Sequence, residues 1–285
     1  MKIMILGITG MLGSAMFRYL SGFRENLVYG SIRHDAVPAA VPTLASNQHV
    51  IANIDATKDL DLESAFAKAK PNVVVNCVGV VKQLSDADDP LISIPINSLL
   101  PHRIARLAKG CGARVIHVST DCVFSGKVGH YIESDVCDAT DLYGRSKLLG
   151  ELCEPGGVTL RTSIIGHELA TKHGLLEWFL SQPGRVEGYS RAIFSGLPTV
   201  ELARVIHEFV IPNAGLSGLY HVAAAPISKL ELLRLIAEIY GTPITIVPSE
   251  RVVIDRSLDA TRFNAATNYS PPSWRKLVEE MHKFH

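Results

Sequence analysis

Lys2-Ile3-Met4-Ile5-Leu6-Gly7-Ile8-Thr9-Gly10-Met11-Leu12-Gly13 decides the fold. An apolar run of strand length stops at a glycine, two more glycines follow at three-residue steps, and an amphipathic helical pattern begins at Met11. Glycine permits a tight turn between strand and helix, and a helix N-terminus offers backbone N–H groups to an anion. Gly7, Thr9, Gly10, Met11, Leu12 and Gly13 are therefore expected to cradle a pyrophosphate, with a merely close-packed turn as the alternative. The apolar run could pass for a secretory leader, but Gly7 and Gly10 break it too early.

Outward from this turn the rhythm repeats. Strands are expected at 2–6, 27–30, 48–53, 72–77, 114–119, 158–161 and 218–222, the central ones apolar without alternation, as burial on both faces demands. Helical patterns at 11–20, 62–70, 96–109, 141–152 and 200–210 alternate with them, which implies right-handed crossovers and an α/β fold with a doubly wound parallel sheet of about seven strands. After residue 162 the pattern changes to helices at 175–182, 228–240 and 273–282 with a short strand at 244–247. This divides the chain into a nucleotide-binding domain, 1–163 completed by 196–222, and a small C-terminal α/β cap, 164–195 with 223–285. The cap should cover the carboxyl ends of the strands, where open α/β sheets bind ligands. Residues 36–46, with Pro38 and Pro42, read as an extended loop.

The 285 residues carry 28 basic and 28 acidic side chains, so no net field draws nucleic acid or anionic lipid to the surface. No apolar stretch approaches the roughly 20 residues of a membrane span. Five cysteines without a CxxC pair suggest neither a disulfide framework nor a zinc ribbon, and a reducing cytoplasm is the expected location. The histidines show no metal-ligand spacing, and Asp86, Asp88 and Asp89 read as a solvated face.

An acidic residue about 20 positions beyond the glycine turn would bind a ribose 2′-hydroxyl, but Ser31-Ile32-Arg33 stands there. An arginine suits a 2′-phosphate, so NADP(H) is expected with Arg33 on the extra phosphate; Asp35 leaves NAD(H) open. Asp55 could receive the adenine amino group or simply cap the next helix. Cys77 and Gly79 end the fourth strand beside the expected cofactor, and Asn97 opens a helix that it could cap.

Tyr143 and Lys147, four apart on an expected helix, share a face. Thr120, in Ser119-Thr120-Asp121 at the carboxyl end of the fifth strand, opens toward the same cleft. A phenol is a weak acid at neutral pH, and an adjacent ammonium should lower its pKa. A hydroxyl holding a carbonyl against that phenol is an arrangement for carbonyl reduction, the phenol giving its proton as hydride arrives from a nicotinamide.

The glycine turn, the Thr120 hydroxyl and the Tyr143/Lys147 pair resemble the extended short-chain dehydrogenase/reductase superfamily. Within it, STDCVFSG (119–126), YIESD (131–135), YGRSKLLGE (143–151) and LRTSIIG (160–166) are similar to the dTDP-4-dehydrorhamnose reductase branch. The resemblance implies a Rossmann domain with a sugar-nucleotide cap and a Thr120, Tyr143, Lys147 triad. It also implies reduction of a 4-keto-6-deoxyhexose on a nucleoside diphosphate, in surface polysaccharide precursor synthesis. Tyr143 would be the general acid, Lys147 would also hold the nicotinamide ribose, and Asn97, as an equal alternative to capping its helix, would help to order the site near the cofactor. Related dehydratases carry Asp-Glu after the threonine, whereas Cys122 follows Asp121 here, which disfavours dehydration. Cys122 also replaces the usual tyrosine of the branch, and a UDP-linked 2-acetamido-4-keto sugar is an alternative substrate. Asp121, Cys122, Lys82, with Gln83 beside it, and Arg185 and Arg191, whose guanidinium forks match phosphate oxygens, are the expected substrate contacts. Trp178 reads as core rather than a base-stacking platform. An epimerase and a non-catalytic subunit like the regulatory partner of methionine adenosyltransferase are the competing functions; relatives with this fold are often homodimers.

Overall fold

The computed structural model describes residues 1–36, 49–82 and 85–284. Gln83 and most of the expected 36–46 loop lie outside the described residues.

Seven parallel strands form the central sheet: β1 (Lys2–Leu6), β2 (Leu27–Ser31), β3 (Val50–Ile51), β4 (Val73–Asn76), β5 (Arg114–Thr120), β6 (Gly157–Thr162) and, after the cap's first segment, β11 (Gly218–His221). Their order is β11-β6-β5-β4-β1-β2-β3. From β3 to β6 this is the 3-2-1-4-5-6 order of the Rossmann fold, whose switch point lies between β1 and β4. Alternation within β1 distributes the core: Ile3 and Ile5 pack on one face of the sheet, Met4 and Leu6 on the other. Each such aliphatic side chain contributes about 1.5–3 kcal/mol on burial.

The helices are α1 (Met11–Ser21), α2 (Asp59–Ala69), α3 (Pro90–Ser93), α4 (Leu100–Cys111) and α5 (Leu142–Leu149). A π-helical turn, Ile94–Leu99, joins α3 and α4 into one continuous rod. That rod starts six residues before the expected helix at 96–109, because Asp89 caps it by accepting from the Leu91 N–H and Pro90 sits at its first position.

The cap comprises β7 (Ile164–Ile165), α6 (Leu175–Leu180), β8 (Arg185–Tyr189), β9 (Ala192–Phe194), β12 (Ile227–Ser228), α8 (Lys229–Tyr240), β13 (Thr245–Ser249), β14 (Ile254–Asp255), α9 (Thr261–Thr267) and α10 (Trp274–Lys283); between its segments the chain returns to the Rossmann sheet through β10 (Leu197–Pro198), which pairs with β7, and α7 (Thr199–Val205), whose Leu202, Ala203 and Val205 cover that sheet. Its strands are short and pair in twos and threes, and only β13 was expected. Leu176, Phe179, Leu232, Leu233 and Ile236 make its own core. Phe263, Tyr269 and Leu277, assigned to the cap by the sequence division, lie in the cluster that covers one face of the Rossmann sheet. No helix among the described residues is long and apolar enough to cross a membrane.

Candidate active site

Three glycines of the first turn have three different reasons. Gly7 has φ +84°, a conformation side chains rarely adopt. At Gly13 a Cβ would lie 2.1 Å from the Gly7 carbonyl oxygen, so only glycine lets α1 approach the turn. At Gly10, exposed and with ordinary φ, a Cβ would meet nothing nearer than 3.6 Å. The protein itself does not require glycine there, so the space is open to an approaching phosphate group, and α1 begins at this point without a side-chain cap. This cradle fits a dinucleotide pyrophosphate. Thr9 is half-buried at the turn; Leu12 is in the core and Met11 opens the helix, so both can offer only backbone N–H groups. Ser31, which stands where an acidic residue would be, is buried and accepts the Gly7 N–H at 3.1 Å.

Arg33 is 71% exposed and lies 3.6 Å from the Asp55 carboxylate, so the two residues expected at the adenosine end do meet. Asp55 does not cap α2: Lys58 holds that place, and Asp55 instead accepts from the Thr57 N–H (3.0 Å) and hydroxyl (2.7 Å). Burial pushes its carboxyl up, but the Thr57 bonds and the Arg33 charge outweigh it and hold it below the usual value.

Thr120 ends β5, and the next residues turn through a short 3₁₀ helix, Asp121–Val123, in which the Thr120 hydroxyl accepts the Cys122 N–H at 3.1 Å. Asp141 caps α5 by accepting the Gly144 N–H at 2.8 Å. Gly144 lets that helix close on the turn, since a Cβ there would lie 2.2 Å from the Cys122 carbonyl oxygen. The Thr120 hydroxyl, which donates to Asp121 Oδ1 at 3.2 Å, is thereby brought close enough to the Tyr143 phenol to favour its ionised form. One helical turn on, buried Lys147 donates to the Val118 carbonyl at 2.8 Å. Thr120, Tyr143 and Lys147 thus converge.

Their electrostatics differ from expectation in one respect. Burial raises the Tyr143 phenol above its ordinary value, the Cys122, Asp121 and Asp141 side chains add to this, and the Thr120 hydroxyl only opposes it. The phenol is therefore raised rather than lowered as expected, and it stays protonated. Burial lowers Lys147 to about 8, partly offset by Glu151 and Cys77. Burial pushes the Cys77 and Cys122 thiols up to about 12, which leaves neither a thiolate nucleophile.

Asn97 is not a helix cap. It sits in the π-helical turn, 1% exposed, where its Oδ1 accepts the Val80 N–H at 2.9 Å and its Nδ2 donates to the Val80 carbonyl and the Ser146 hydroxyl, both at 3.2 Å. It ties the loop after β4 to α5. Gly79, on that loop, would place a Cβ 3.4 Å from Asn97 Oδ1 and 3.9 Å from Lys147 Nζ. Lys82 forms a 2.7 Å ion pair with Asp141, so it is fixed to the cap of the Tyr143 helix.

Behind Thr120 lies a buried ion pair. Arg161 contacts Glu151 through two bonds of 2.7 Å, both side chains are about 5% exposed or less, and Ser119 also donates to Glu151.

Arg185 and Arg191 are exposed, at the start of β8 and in the turn after it, and no interaction among the described residues links them to Thr120, Tyr143 or Lys147. Trp178 is 39% exposed rather than core. The cations that do bear on the Thr120–Cys122 turn, besides Lys82, are Lys229 and Arg256. Sequence reasoning missed both, since over 100 residues separate them from the turn. One usable signal was the capping pattern Ser228-Lys229-Leu230-Glu231, which fixes where α8 begins and hence where Lys229 stands. Among the described residues no group of His, Cys, Asp or Glu could hold a metal ion.

Comparison with known proteins places this geometry in context. A dTDP-4-keto-6-deoxy-D-glucose reductase of Streptomyces niveus is 26% identical over 266 residues, covering 87% of this chain and 83% of that protein. Methionine adenosyltransferase 2 subunit beta of Xenopus laevis is 28% identical over 155 residues, 53% of this chain and 41% of that protein. The crystal structure of a dTDP-4-dehydrorhamnose reductase from Bacillus anthracis in complex with NADP superposes with a TM-score of 0.80 at 18% identity, over 99% of this chain and 98% of that one. The family model described as RmlD substrate binding domain matches residues 1–284, and the chain belongs to that family.

Proposed function

We propose that the protein is an NADPH-dependent reductase of the 4-keto group of a nucleoside-diphosphate 6-deoxyhexose, dTDP- or UDP-linked. The observation that carries this reading is the meeting of Thr120, Tyr143 and Lys147 at the carboxyl end of β5, beside a glycine cradle that leaves room for a pyrophosphate. A bound nicotinamide cofactor supplies hydride. Gly7 to Gly13 hold its pyrophosphate, Arg33 and Asp55 its adenosine end, Lys147 its nicotinamide ribose, and Asn97 fixes the Gly79 loop against it. NADH is the weaker alternative, since no acidic side chain ends β2.

Thr120 donates to the substrate carbonyl oxygen and holds it against Tyr143. Tyr143, kept protonated by burial, gives its proton to the developing alkoxide, and the Lys147 ammonium compensates the phenolate charge left behind. Asp121 and Cys122 border the sugar. Dehydration is disfavoured because Cys122 occupies the position of the second carboxylate that elimination uses.

The test mixes the protein with NADPH or NADH and with dTDP- or UDP-linked 4-keto-6-deoxy sugars and follows cofactor oxidation. Stoichiometric oxidation with one sugar supports the reductase and names its substrate. Conversion of the sugar without net oxidation supports an epimerase. Inertness of a protein that binds NADPH favours the regulatory reading, to which the partial likeness to the methionine adenosyltransferase subunit lends weight.

A further inference from the structure

Asn76 and His117 are register partners on β4 and β5, each 1% exposed. Strand alternation from Val74 and Val115 puts them on the sheet face that Met4 and Leu6 make apolar. Asn76 Nδ2 lies 3.2 Å from His117 Nδ1, and Asn76 Oδ1 accepts the Val78 N–H at 3.1 Å. A backbone N–H only donates, so the atom facing Val78 is the amide oxygen and the amide nitrogen faces the ring. That nitrogen only donates in its turn, so Nδ1 is the acceptor and the ring carries its proton on Nε2. His117 Nε2 is buried and has no hydrogen-bond partner among the described residues. Burial lowers the imidazole well below its ordinary value, Lys147 and His102 act in the same sense, and the ring stays neutral.

A buried N–H without an acceptor is destabilising, and an apolar side chain at position 117 would avoid that loss. What the imidazole contributes is therefore the acceptor at Nδ1. It fixes the Asn76 amide, and the amide fixes Val78. The last ladder bond of β4 runs from the Cys77 N–H to Leu6 O at 3.1 Å, and from there the chain leaves the sheet as the Cys77–Val80 loop. Gly7, the first glycine of the cradle, sits against this loop: a Cβ there would lie 2.9 Å from Val78 Cγ2 and 3.4 Å from the Val78 nitrogen. At the other end Asn97, steered by the Ser146 hydroxyl, receives the Val80 N–H at 2.9 Å. Between the two ends Gly79 would place a Cβ 3.9 Å from Lys147 Nζ. Two buried amides thus hold the loop, Asn97 from the Tyr143 helix and Asn76 from His117.

We infer that His117 is a positioning residue for the cofactor: its Nδ1 sets the Asn76 amide and, through it, the Cys77–Val80 loop that the glycine cradle and the Lys147 ammonium both adjoin. The inference rests on the cofactor part of the proposed function and deepens it. His117 acts through two hydrogen bonds and not by contact, since its ring lies wholly inside the sheet layer. Without the acceptor the amide is free to turn and Val78 to drift, which loosens the nicotinamide half of the site. The adenosine end, built from Arg33 and Asp55, does not depend on this loop.

The test titrates NADPH and adenosine 2′,5′-bisphosphate, which lacks the nicotinamide half, into the wild type, His117→Leu and His117→Asn. Leucine fills the space without an acceptor, whereas asparagine carries an oxygen bonded to Cγ, as Nδ1 is. Loss of one hydrogen bond should weaken NADPH about three- to tenfold in His117→Leu. Adenosine 2′,5′-bisphosphate should bind as before, and His117→Asn should recover wild-type affinity for NADPH. A residue that only supports the fold would weaken both ligands together and would not be rescued. Should His117→Leu fail to fold, the wild type decides: nitrogen NMR of histidine-labelled protein should show the His117 ring neutral, protonated on Nε2 and bare at Nδ1. A ring protonated on Nδ1, equal NADPH binding by His117→Leu and wild type, or no rescue by a folded His117→Asn would each overturn the inference. The expected binding pattern in a protein that reduces none of the sugars keeps the inference and overturns the reductase. A wild type that binds neither ligand overturns the cofactor reading and the inference with it.

Discussion

The two ends of the cleft are built on different plans. At the proposed cofactor end, Gly7 to Gly13, Ser31, Arg33 and Asp55 all come from the first 55 residues, and each is placed by its own strand or turn. At the proposed substrate end, Lys82, the Thr120–Cys122 turn, Tyr143 and Arg256 come from four separated segments. The first end is local chemistry repeated on a common frame; the second exists only when the whole chain has folded. Damage to packing should therefore fall on the substrate end, and damage to single charges should be cleanest at the cofactor end.

The largest effect is expected where packing and the substrate end meet. Arg161→Met leaves the Glu151 carboxylate buried without its partner behind Thr120, which should cost about 3–5 kcal/mol in denaturant unfolding. Replacing Glu151 with Leu in the same chain should recover much of that loss. A loss under 1 kcal/mol for the single variant would mean that the pair is not what holds β5, β6 and α5 in register. Next comes Tyr143→Phe, which keeps the ring and removes only the hydroxyl that carries the proton. Turnover should fall about 10²-fold or more with NADPH binding intact; near-normal turnover would remove Tyr143 from the acid role. At the cofactor end, Arg33→Ala should weaken NADPH about tenfold and leave NADH nearly unchanged, because a largely exposed contact is worth the low end of the charge-assisted range. Equal losses for both cofactors would hand the discrimination to Ser31 or Asp35.

The same contrast explains how much was legible in the sequence. The sheet could be read because each strand is an apolar run closed by a glycine or polar turn, as at Leu6-Gly7 and Asn76 to Gly79. Thr120, Tyr143 and Lys147 could be placed together because helical spacing and strand ends are local properties. The short strands outside that sheet could not: β7, β10, β12 and β14 are two residues long and owe their conformation to partners rather than to any periodic pattern. Asn97 could be read equally as a helix cap or as a residue that orders the site, because a π-helical turn, set by packing against Val80 and Ser146, has no short-range signature. Arg185 and Arg191 looked suited to a diphosphate by residue type alone, while Arg256 reaches the turn through hydrogen bonds to residues about 130 positions earlier.

The smallest expected effect is a pH dependence that couples the two ends through Lys147. Burial lowers this ammonium to about 8, so it is charged below that pH and neutral above it. If the charged form holds the nicotinamide ribose and offsets the Tyr143 phenolate, kcat/KM of the free enzyme should fall to about half at that pH and decline with the slope of one proton above it. Stability should respond in the opposite sense. The unfolded lysine titrates near 10.4. Between about 8 and that value the unfolded chain binds more protons than the folded one, and the Lys147 contribution to stability rises with pH and is lost as pH falls through about 8. Activity and stability should therefore diverge across one window, and Lys147→Met should remove the stability rise, which thermal unfolding measured from pH 7 to 10 against the wild type reads directly. Parallel loss of activity and stability above pH 8 in the wild type would assign the titration to another group and leave Lys147 a structural cation anchored on the Val118 carbonyl.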